Sequence, residues 1–596
     1  MPTMLSIRPG DELPLYIGGK PPQASAGDSC FRTFQFQKWR SLHRKQRTLI
    51  ILASLLVLFG FGHTTSRFFG TLETVETREA AAVAAVNEAN VPKAAPVAGN
   101  NAANGGPVDV DQVDVPQVDS NGPNHNENDV NVQIAEPKYP KFKGPQNDRQ
   151  TAVVAAMKHA WAGYKKFAWG KDQLQPISGS SQEWMGCGLT ILDSLDTLLI
   201  MGMNEEFAES REWVATELSF DKDKFVSLFE TTIRVLGGLL SAYHLSGDAL
   251  FLQKAEDIGS RLAGALDSPS PIPYSDVNLR TRKGKQPGWG GESSLSEVTS
   301  IQLEFRDLSR ATGNDTYEKI AFKVSEHIHS IGCNDHEGLC GMFISPTDGK
   351  FRPSTTITLG ARSDSYYEYL LKQWLQTGKS IDWLRDDYSQ AVTGIRHLLW
   401  RFSEPNKLAF PGELLNGNTW SPKMDHLVCF MAGTLAMGAK NGLPEDHMDM
   451  AKNLSHSCRE MYRTLTGLAP EIVYFNELPG KTEDISIKPL DAHCLLRPEA
   501  FEAWFYLYRY TGDKKYQEWG WEAFQAIEQF AKVPNGYASV QSAKKIPVVH
   551  RDLMESFFPA ESLKYLYLLF ADEQTDIPLD KWVFNTEAHP LPIRAN

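Results

Sequence analysis

The sequence predicts an all-α domain that extends from about residue 148 to the C-terminus. In this region aromatic-rich segments with helical periodicity alternate with turns, whereas the two-residue alternation typical of strands is scarce. Glycine recurs 64 to 70 residues apart, each time between two apolar runs, at Gly247, Gly313, Gly378, Gly442 and Gly512. This spacing indicates a repeated helical hairpin in which the glycine caps the first helix. An open solenoid and a closed α/α barrel both fit such a repeat.

An apolar run near the N-terminus predicts a membrane anchor. Residues 48–66 are uncharged and mostly apolar, and they follow a basic segment that contains Lys38, Arg40, Arg44, Lys45 and Arg47. A run of this length can cross a thin bilayer, and basic residues mark its cytosolic side. A cleaved signal peptide fits less well, because about 47 residues precede the run. We therefore expect a cytosolic tail (1–47), a type II signal anchor (48–66) and a luminal remainder.

The segment after the anchor has the composition of a flexible stem. Residues 67–147 are rich in Ala, Asn, Val, Pro and Asp and poor in aromatic residues. Such a segment cannot bury enough apolar surface to offset its chain entropy, so we expect no fold before the domain that begins at residue 148. The net charge of −13, with no basic run in the predicted domain, gives no support for nucleic-acid binding.

A predicted helix from Leu228 to Leu245 carries Glu230 and Arg234 one turn apart. A surface ion pair would explain this spacing equally well. However, Gly237 and Gly238 follow within the same helix, and paired glycines inside a helix indicate close approach by another part of the chain.

Two further carboxylates stand where helices are predicted to start. In Arg497-Pro498-Glu499, proline suits the first helical position and places Glu499 in the first turn, where the macrodipole favours an ionised carboxylate. An ionised carboxylate is what a general base requires. Asp364 could cap the helix that follows it or take part in chemistry.

Five motifs, in the same order, resemble those of the class I α-1,2-mannosidases. They are Phe229-Glu230-Thr231-Thr232-Ile233-Arg234, Arg362-Ser363-Asp364-Ser365-Tyr366-Tyr367, Arg497-Pro498-Glu499, Glu555-Ser556-Phe557-Phe558 and Phe584-Asn585-Thr586-Glu587-Ala588-His589-Pro590. The resemblance covers about 450 residues, roughly from Tyr139 to Pro592. It implies an (α/α)7 barrel closed by a C-terminal β-hairpin, and inverting, calcium-dependent hydrolysis.

The resemblance also implies roles for individual residues. Glu499 would be the general base, and either Glu230 or Asp364 the general acid, a choice that the sequence leaves open. Thr586 would bind Ca²⁺ through its hydroxyl and carbonyl oxygens, with water completing the coordination. The residues expected to bind substrate are Arg234, Glu297, Arg362, His426, Glu471, Arg497, Glu502, Phe557, Glu561 and Glu587.

The cysteines agree with a luminal location. Cys429 and Cys458 match the pair that is disulfide-bonded in the resembling family. Cys333 and Cys340 flank a short loop and could bond to each other, which the sequence does not decide.

The resemblance implies removal of terminal α-1,2-linked mannose from high-mannose N-glycans, from nine mannoses to eight. The expected location is the endoplasmic reticulum membrane, with the Golgi as the alternative. A Golgi-type enzyme that removes several mannoses is one competing interpretation. The other is a non-catalytic glycan receptor for misfolded glycoproteins, although a receptor has no need of an acid and a base.

Overall fold

The computed structural model describes residues 141–288 and 290–594, and this part of the chain is mostly helical, which confirms the predicted class. The helices are α1 (Asp148–Phe167), α2 (Leu189–Ile200), α3 (Asn204–Thr216), α4 (Leu228–Glu230, π-helical Thr231–Leu236 and Gly237–Ser246), α5 (Ala249–Leu262), α6 (Leu295–Thr299), α7 (Gln302–Thr312), α8 (Thr316–Ile331), α9 (Asp364–Gln376), α10 (Asp382–Gly394), α11 (Phe430–Lys440), α12 (Asp446–Met461), α13 (Glu499–Thr511), α14 (Lys515–Phe530) and α15 (π-helical Phe558–Ser562 and Leu563–Leu569).

Seven of these helices form an inner ring, and seven others pack outside it. The inner helices α2, α4, α7, α9, α11, α13 and α15 contact one another in chain order, and α15 contacts α2. Each inner helix also packs against an outer helix, the partners being α3, α5, α8, α10, α12, α14 and α1. Residues 365–376 of inner helix α9 are all buried, whereas outer helix α3 buries only Ser210 and Val214. The inner helices therefore supply the core and the outer helices its solvent-facing cover.

The recurring glycines lie where the sequence predicts them. All five have positive φ angles and stand between an inner helix and the outer helix that follows it. Gly247, Gly313 and Gly512 are left-handed C-caps of α4, α7 and α13, respectively. The repeat is therefore the inner–outer helix pair.

Short antiparallel strands occur in the connections, and sequence periodicity did not reveal them. They are β1 (Gln173–Gln175), β2 (Ser180–Gln182), β3 (Phe225–Ser227), β4 (Asp276–Asn278), β5 (Gly284–Lys285), β6 (Ser293–Ser294), β7 (Phe343–Ile344), β8 (Trp400–Phe402), β9 (Ala409–Pro411), β10 (Glu413–Leu415), β11 (Thr419–Ser421), β12 (Lys423–Asp425), β13 (Ile472–Phe475), β14 (Ile485–Ser486), β15 (Lys532–Val533), β16 (Gly536–Tyr537), β17 (Trp582–Phe584) and β18 (Pro590–Pro592). None exceeds four residues, which is too short for a two-residue alternation to stand out.

The last two strands form the predicted C-terminal β-hairpin. Phe584 pairs with Pro590 in the register, Val583 with Leu591 and Trp582 with Pro592. β17 contacts α9, and β18 contacts α4 and α7. The hairpin therefore packs against the inner ring rather than lying on the outer surface.

Two disulfides are formed in the described part of the chain. Cys429 is bonded to Cys458, with 6.0 Å between their Cα atoms, and Cys333 to Cys340, with 5.1 Å. The first tethers α12 to the segment just before α11. The second settles the pairing that the sequence left undecided.

The predicted tail, the anchor at residues 48–66 and the stem up to residue 140 lie outside the described residues. Among the helices of residues 141–288 and 290–594, none is both long and apolar enough to cross a bilayer.

Candidate functional site

The turn between β17 and β18 reaches into the middle of the inner ring, and Asn585 holds its shape. The Asn585 side-chain oxygen accepts hydrogen bonds from the backbone N–H groups of Glu587 (2.9 Å) and His589 (2.8 Å). Its amide nitrogen donates to the Ile233 carbonyl of α4 (2.9 Å) and to Glu304 Oε1 of α7 (2.8 Å). One buried amide thus fixes both the conformation of the turn and its position against two inner helices.

The paired glycines of α4 make room for this turn. A Cβ atom on Gly237 would lie 2.6 Å from Asn585 Nδ2 and 3.0 Å from the His589 ring. A Cβ atom on Gly238 would lie 2.3 Å from the Leu192 carbonyl oxygen of α2. The close approach expected from the sequence is therefore real on two sides, one made by the turn and the other by helix α2.

A fully buried ionic cluster anchors the end of the turn. His589 Nδ1 lies 2.8 Å from Asp196 Oδ2, and Nε2 lies 3.2 Å from Asp193 Oδ1. The Lys564 ammonium pairs with Asp196 (2.9 Å) and also donates to the Ala588 carbonyl (2.6 Å). Burial alone would lower the pKa of His589, but the two aspartates raise it above its ordinary value. The cluster thus favours an imidazolium that holds α2 to the turn.

Arg234 links this cluster to the first candidate catalytic carboxylate. Its Nε donates to Glu230 Oε2 (2.8 Å), and its Nη1 pairs with Glu587 and lies 3.7 Å from Asp193 Oδ2. Its guanidinium also lies 5.8 Å from the centre of the Phe557 ring. Arg234 is thus held on several sides, and Glu230 is an ion-paired residue of the site interior rather than of an outer surface.

Glu230 stands where α4 changes its winding. Ser227 caps the helix: its hydroxyl oxygen accepts a hydrogen bond from the backbone N–H of Glu230 (3.3 Å). The next six residues, Thr231–Leu236, are π-helical. π-Helical turns are rare in proteins as a whole, but those that occur are often found at functional sites.

Asp364, the other candidate acid, is the first residue of α9, and Ser363 takes the capping position. The Ser296 hydroxyl donates to Asp364 Oδ1 (2.6 Å), and the Ser365 N–H donates to the same oxygen (2.9 Å). Burial raises the pKa of Asp364 to about 7, and nearby Glu499 acts in the same direction. This carboxyl group can therefore carry a proton near neutral pH.

Glu499, the candidate base, has the opposite environment. Helix α13 starts one residue later than the sequence predicts, so that Glu499 is its first residue and Pro498 is its N-cap. His426 Nδ1 lies 3.0 Å from Glu499 Oε2, and His426 Nε2 lies 3.0 Å from the Tyr462 hydroxyl. Burial raises the pKa of Glu499, but His426 and the charge of Arg497 more than offset this, so that the pKa lies below its ordinary value. Glu499 therefore stays ionised where Asp364 is protonated.

Arg497 and Arg234 both lie close to the aromatic ring of Phe557. Arg497 pairs with Glu471, and its guanidinium lies 5.6 Å from the centre of the Phe557 ring. Glu471 also accepts a hydrogen bond from the Leu495 N–H (3.1 Å). Phe557 thus joins the part of the site around Glu230 to the part around Glu499, as residues that share one substrate should be joined.

The remaining expected residues differ in how far they are buried. Glu502 and Glu561 are buried, and burial raises the pKa of Glu502 to about 8 and that of Glu561 well above its ordinary value. Glu297 caps α6 by accepting from the Ser294 N–H (2.9 Å). Arg362 is exposed, has a φ angle of 81° and lies 5.5 Å from the centre of the Phe343 ring.

Sequence reasoning missed several charged and polar residues of the interior. Lys372 pairs with Glu368 and lies 3.5 Å from Glu502 Oε1, and it also donates to the Asn585 carbonyl (3.4 Å). Tyr369 donates to Glu304 Oε1 (2.7 Å). The available signal was a Glu and a Lys one turn apart among the mostly aromatic and apolar residues of α9.

The surroundings of Thr586 fit a hard cation. In the described part of the chain, its hydroxyl and carbonyl oxygens make no hydrogen bond. Burial, and after it the charge of nearby carboxylates, raise the pKa of Glu561 and of Glu587 well above the ordinary value, so that two acidic groups share this part of the interior. Within the residues described, no group of three or more His, Cys, Asp or Glu side chains could hold a metal ion. A cation here would therefore depend on the two Thr586 oxygens and on water.

Comparison with known proteins gives the chain its family. The family model described as glycosyl hydrolase family 47 matches residues 156–593. The endoplasmic reticulum mannosyl-oligosaccharide 1,2-alpha-mannosidase of Homo sapiens is 54% identical over 452 residues, which cover 75% of this chain and 64% of the human protein. Its Rattus norvegicus counterpart is 53% identical over 457 residues, which cover 76% of this chain and 69% of the rat protein. The match thus spans slightly less than two thirds of the human relative.

A solved structure agrees with this family assignment. The alpha-1,2-mannosidase from Trichoderma reesei superimposes with a TM-score of 0.70 at 29% identity, covering 76% of this chain and 100% of that chain. The family model covers well over half of this chain, and the matched residues include every site residue described above. The chain belongs to glycosyl hydrolase family 47.

Proposed function

We propose that this protein is a mannosyl-oligosaccharide 1,2-α-mannosidase that removes a terminal mannose from high-mannose N-glycans with inversion. The observation that carries the proposal is the opposed tuning of two carboxyl groups: burial raises the pKa of Asp364 to about 7, while His426 and Arg497 keep that of Glu499 below its ordinary value. Two carboxyl groups tuned in opposite directions are the arrangement that glycoside hydrolysis requires.

In this proposal Glu499 is the general base. It accepts a proton from the attacking water while His426 holds the carboxylate in place. Asp364 is the general acid and donates its proton to the glycosidic oxygen as the bond to the leaving sugar breaks. Glu230, ion-paired with Arg234, contributes negative charge close to the developing oxocarbenium ion.

Other residues of the site would bind the sugar. Phe557 offers an aromatic ring to an apolar sugar face. Arg234 and Arg497, together with the carboxyl groups of Glu471, Glu561 and Glu587, offer hydrogen-bonding groups for hydroxyls or for ordered water. Thr586 would hold Ca²⁺ through its two oxygens, and when bound the ion would orient sugar hydroxyls and stabilise negative charge.

We further propose that the ring of helix pairs is an (α/α)7 barrel closed by the C-terminal hairpin. The apolar residues 48–66 would anchor it in the endoplasmic reticulum membrane as a single-pass type II protein. The relatives from Homo sapiens and Rattus norvegicus are both endoplasmic reticulum mannosidases, which supports this location.

Digestion of a nine-mannose glycan by the full-length chain with calcium tests the proposal. We expect one mannose to be released as the β-anomer and a single eight-mannose isomer to remain, as measured by NMR and mass spectrometry. Removal of several mannoses at similar rates would favour a Golgi-type enzyme instead. Binding of the glycan without any release would favour a receptor and would contradict the proposed activity.

A further inference from the structure

The short helix α6 lies between two residues that the proposed function uses. The Ser296 hydroxyl donates to Asp364 Oδ1 (2.6 Å), and the Ser296 N–H donates to the Arg362 carbonyl (3.0 Å). Ser296 itself is only 3% exposed, and α6 packs against α9, which Asp364 begins. One residue therefore contacts both the candidate acid and the backbone of the exposed arginine.

The position of Ser296 is itself well defined. Ser294 and Glu297 form a reciprocal capping box at the start of α6. The Ser275 hydroxyl adds a hydrogen bond to the Glu297 carboxylate (3.1 Å). Ser294 also belongs to β6, which pairs with β7. With its start fixed by a cap and by a strand pair, α6 has little freedom to move its second residue away from Asp364.

We propose that Ser296 is a positioning residue for the reaction: its hydroxyl fixes the orientation of the Asp364 carboxyl group and sets the pH at which that group loses its proton. Ser296 touches neither the water nor the glycosidic oxygen in this proposal. It acts through Asp364, and the proposal therefore rests on the proposed mannosidase activity with Asp364 as the acid.

The sign of the effect follows from the direction of the hydrogen bond. A hydroxyl that donates to a carboxylate stabilises the ionised form and so lowers the pKa of the acid. The charged groups that act on Asp364 are Glu368 on its own helix and Glu499 on α13, and both act in the opposite direction. Ser296 is thus the side chain that opposes them, together with the Ser365 N–H. Its removal should let Asp364 keep its proton to higher pH.

The chain offers a matched control at Ser300. Its hydroxyl donates to the Ser365 hydroxyl (2.7 Å), and it is fully buried. It thus lies four residues after Ser296 and contacts the residue next to Asp364, but not the carboxyl group itself. Ser300→Ala removes a comparable buried hydrogen bond and should leave the pH profile in place.

The experiment is the pH profile of kcat/KM on a nine-mannose glycan for the full-length wild type, Ser296→Ala, Ser296→Cys and Ser300→Ala. We expect the alkaline limb of Ser296→Ala to move up by roughly one pH unit, the size expected for loss of a hydrogen bond to a charged group. Ser296→Cys, nearly the same size but a weaker donor, should move it by a smaller amount and guards against misfolding of the alanine variant. Ser300→Ala should show the wild-type limb.

The outcomes separate the two proposals. An inactive wild type would overturn the mannosidase activity itself. An active wild type whose alkaline limb is unchanged in both Ser296 variants, or moves equally in Ser300→Ala, would overturn the role of Ser296 and leave the activity standing.

Discussion

Glu499 lies at the first position of α13, where the N-terminal end of the helix dipole and the His426 contact both favour its charged form. The glutamine variant keeps the shape of the side chain but cannot accept a proton from water. We therefore expect Glu499→Gln to lower kcat at least a hundredfold, in the range that general-base catalysis contributes, while glycan affinity changes little. Steady-state kinetics and calorimetric titration with the glycan measure the two quantities.

Glu205 provides the control for this variant. It is also a glutamate in the first turn of a helix, α3, but it is exposed on the outer layer. Glu205→Gln should retain full activity. If kcat and affinity fell together in Glu499→Gln, Glu499 would be a binding residue and the base would have to be another group.

Arg362 is the residue that we expect to limit how many mannoses are removed. It is exposed beside the site, and its guanidinium packs on the Phe343 ring. A guanidinium presents five donors in a rigid fork, so that it can hold several hydroxyls of one glycan branch, and a branch that leaves these donors unpaired binds less well. Arg362→Leu should therefore slow removal of the preferred mannose and allow trimming of other branches, as a time course of products by mass spectrometry would record.

Arg352 offers a nearby comparison, because its N–H donates to the Phe343 carbonyl while its side chain is largely exposed. Arg352→Leu should leave the product pattern unchanged. An Arg362→Leu enzyme that still stops at the same eight-mannose isomer would remove Arg362 from consideration.

At the scale of elements, the fit between α4 and the C-terminal turn depends on the absence of two side chains. The Cβ atom of alanine at position 238 would lie 2.3 Å from the Leu192 carbonyl oxygen, and because this is backbone of a packed helix it has little room to move away. We expect Gly238→Ala to lower the free energy of unfolding by about 1–3 kcal/mol, the usual cost of overpacking a core. Urea unfolding measures it.

Gly288→Ala is the matched substitution, because nothing lies within 4 Å of a Cβ atom there and the residue is exposed. It should be nearly neutral. Equal stability of the two alanine variants would show that α2 and α4 can separate without cost, contrary to the packing described above.

The helix pairs were predictable from sequence because the glycine turns are local signals. A left-handed C-cap needs only glycine between two apolar runs, and all five recurring glycines have positive φ. The interior was less predictable. Lys372 meets Glu368 within its own helix, but it meets Glu502 and Asn585 across 130 and more residues of sequence, and no local pattern reports such a contact.

The same reasoning explains which site residues were found. Glu230 and Arg234 stand one turn apart, so their ion pair was visible as a spacing. Ser296 and Asp364 are 68 residues apart, and a serine in a five-residue helix carries no signal of its own. The motif resemblance supplied the carboxylates and, as expected binding residues, His426 and Arg497 beside Glu499, but it did not supply Ser296 beside Asp364.

For the whole molecule, we expect the buried carboxyl groups to make stability dependent on pH and, if the proposed cation binds, on calcium. Burial raises the pKa of Glu502 from 4.5 to about 8. An acid with a raised pKa in the folded state contributes stability below its unfolded pKa, and this contribution is lost as the pH rises through the folded value. The calcium-free protein should therefore lose stability between about pH 4.5 and pH 8, because in this range Glu502 ionises in the unfolded chain but keeps its proton in the folded interior.

A cation bound at Thr586 would stabilise the ionised forms of Glu561 and Glu587, whose pKa values are raised in the cation-free protein, so that calcium should raise the melting temperature more at pH 8 than at pH 5. At a calcium concentration 100 times the dissociation constant, the gain in free energy of unfolding is about 2.7 kcal/mol. Thermal unfolding with excess calcium or excess chelator at the two pH values measures this without reference to activity.

Thr586→Ala, which lacks the hydroxyl, should show a much smaller gain in melting temperature. Chelation should also abolish turnover of the wild type, and zinc should fail to restore it. An equal melting temperature with calcium and with chelator at pH 8 would contradict calcium binding, since a hard cation that leaves the folded state no more stable is not bound to it.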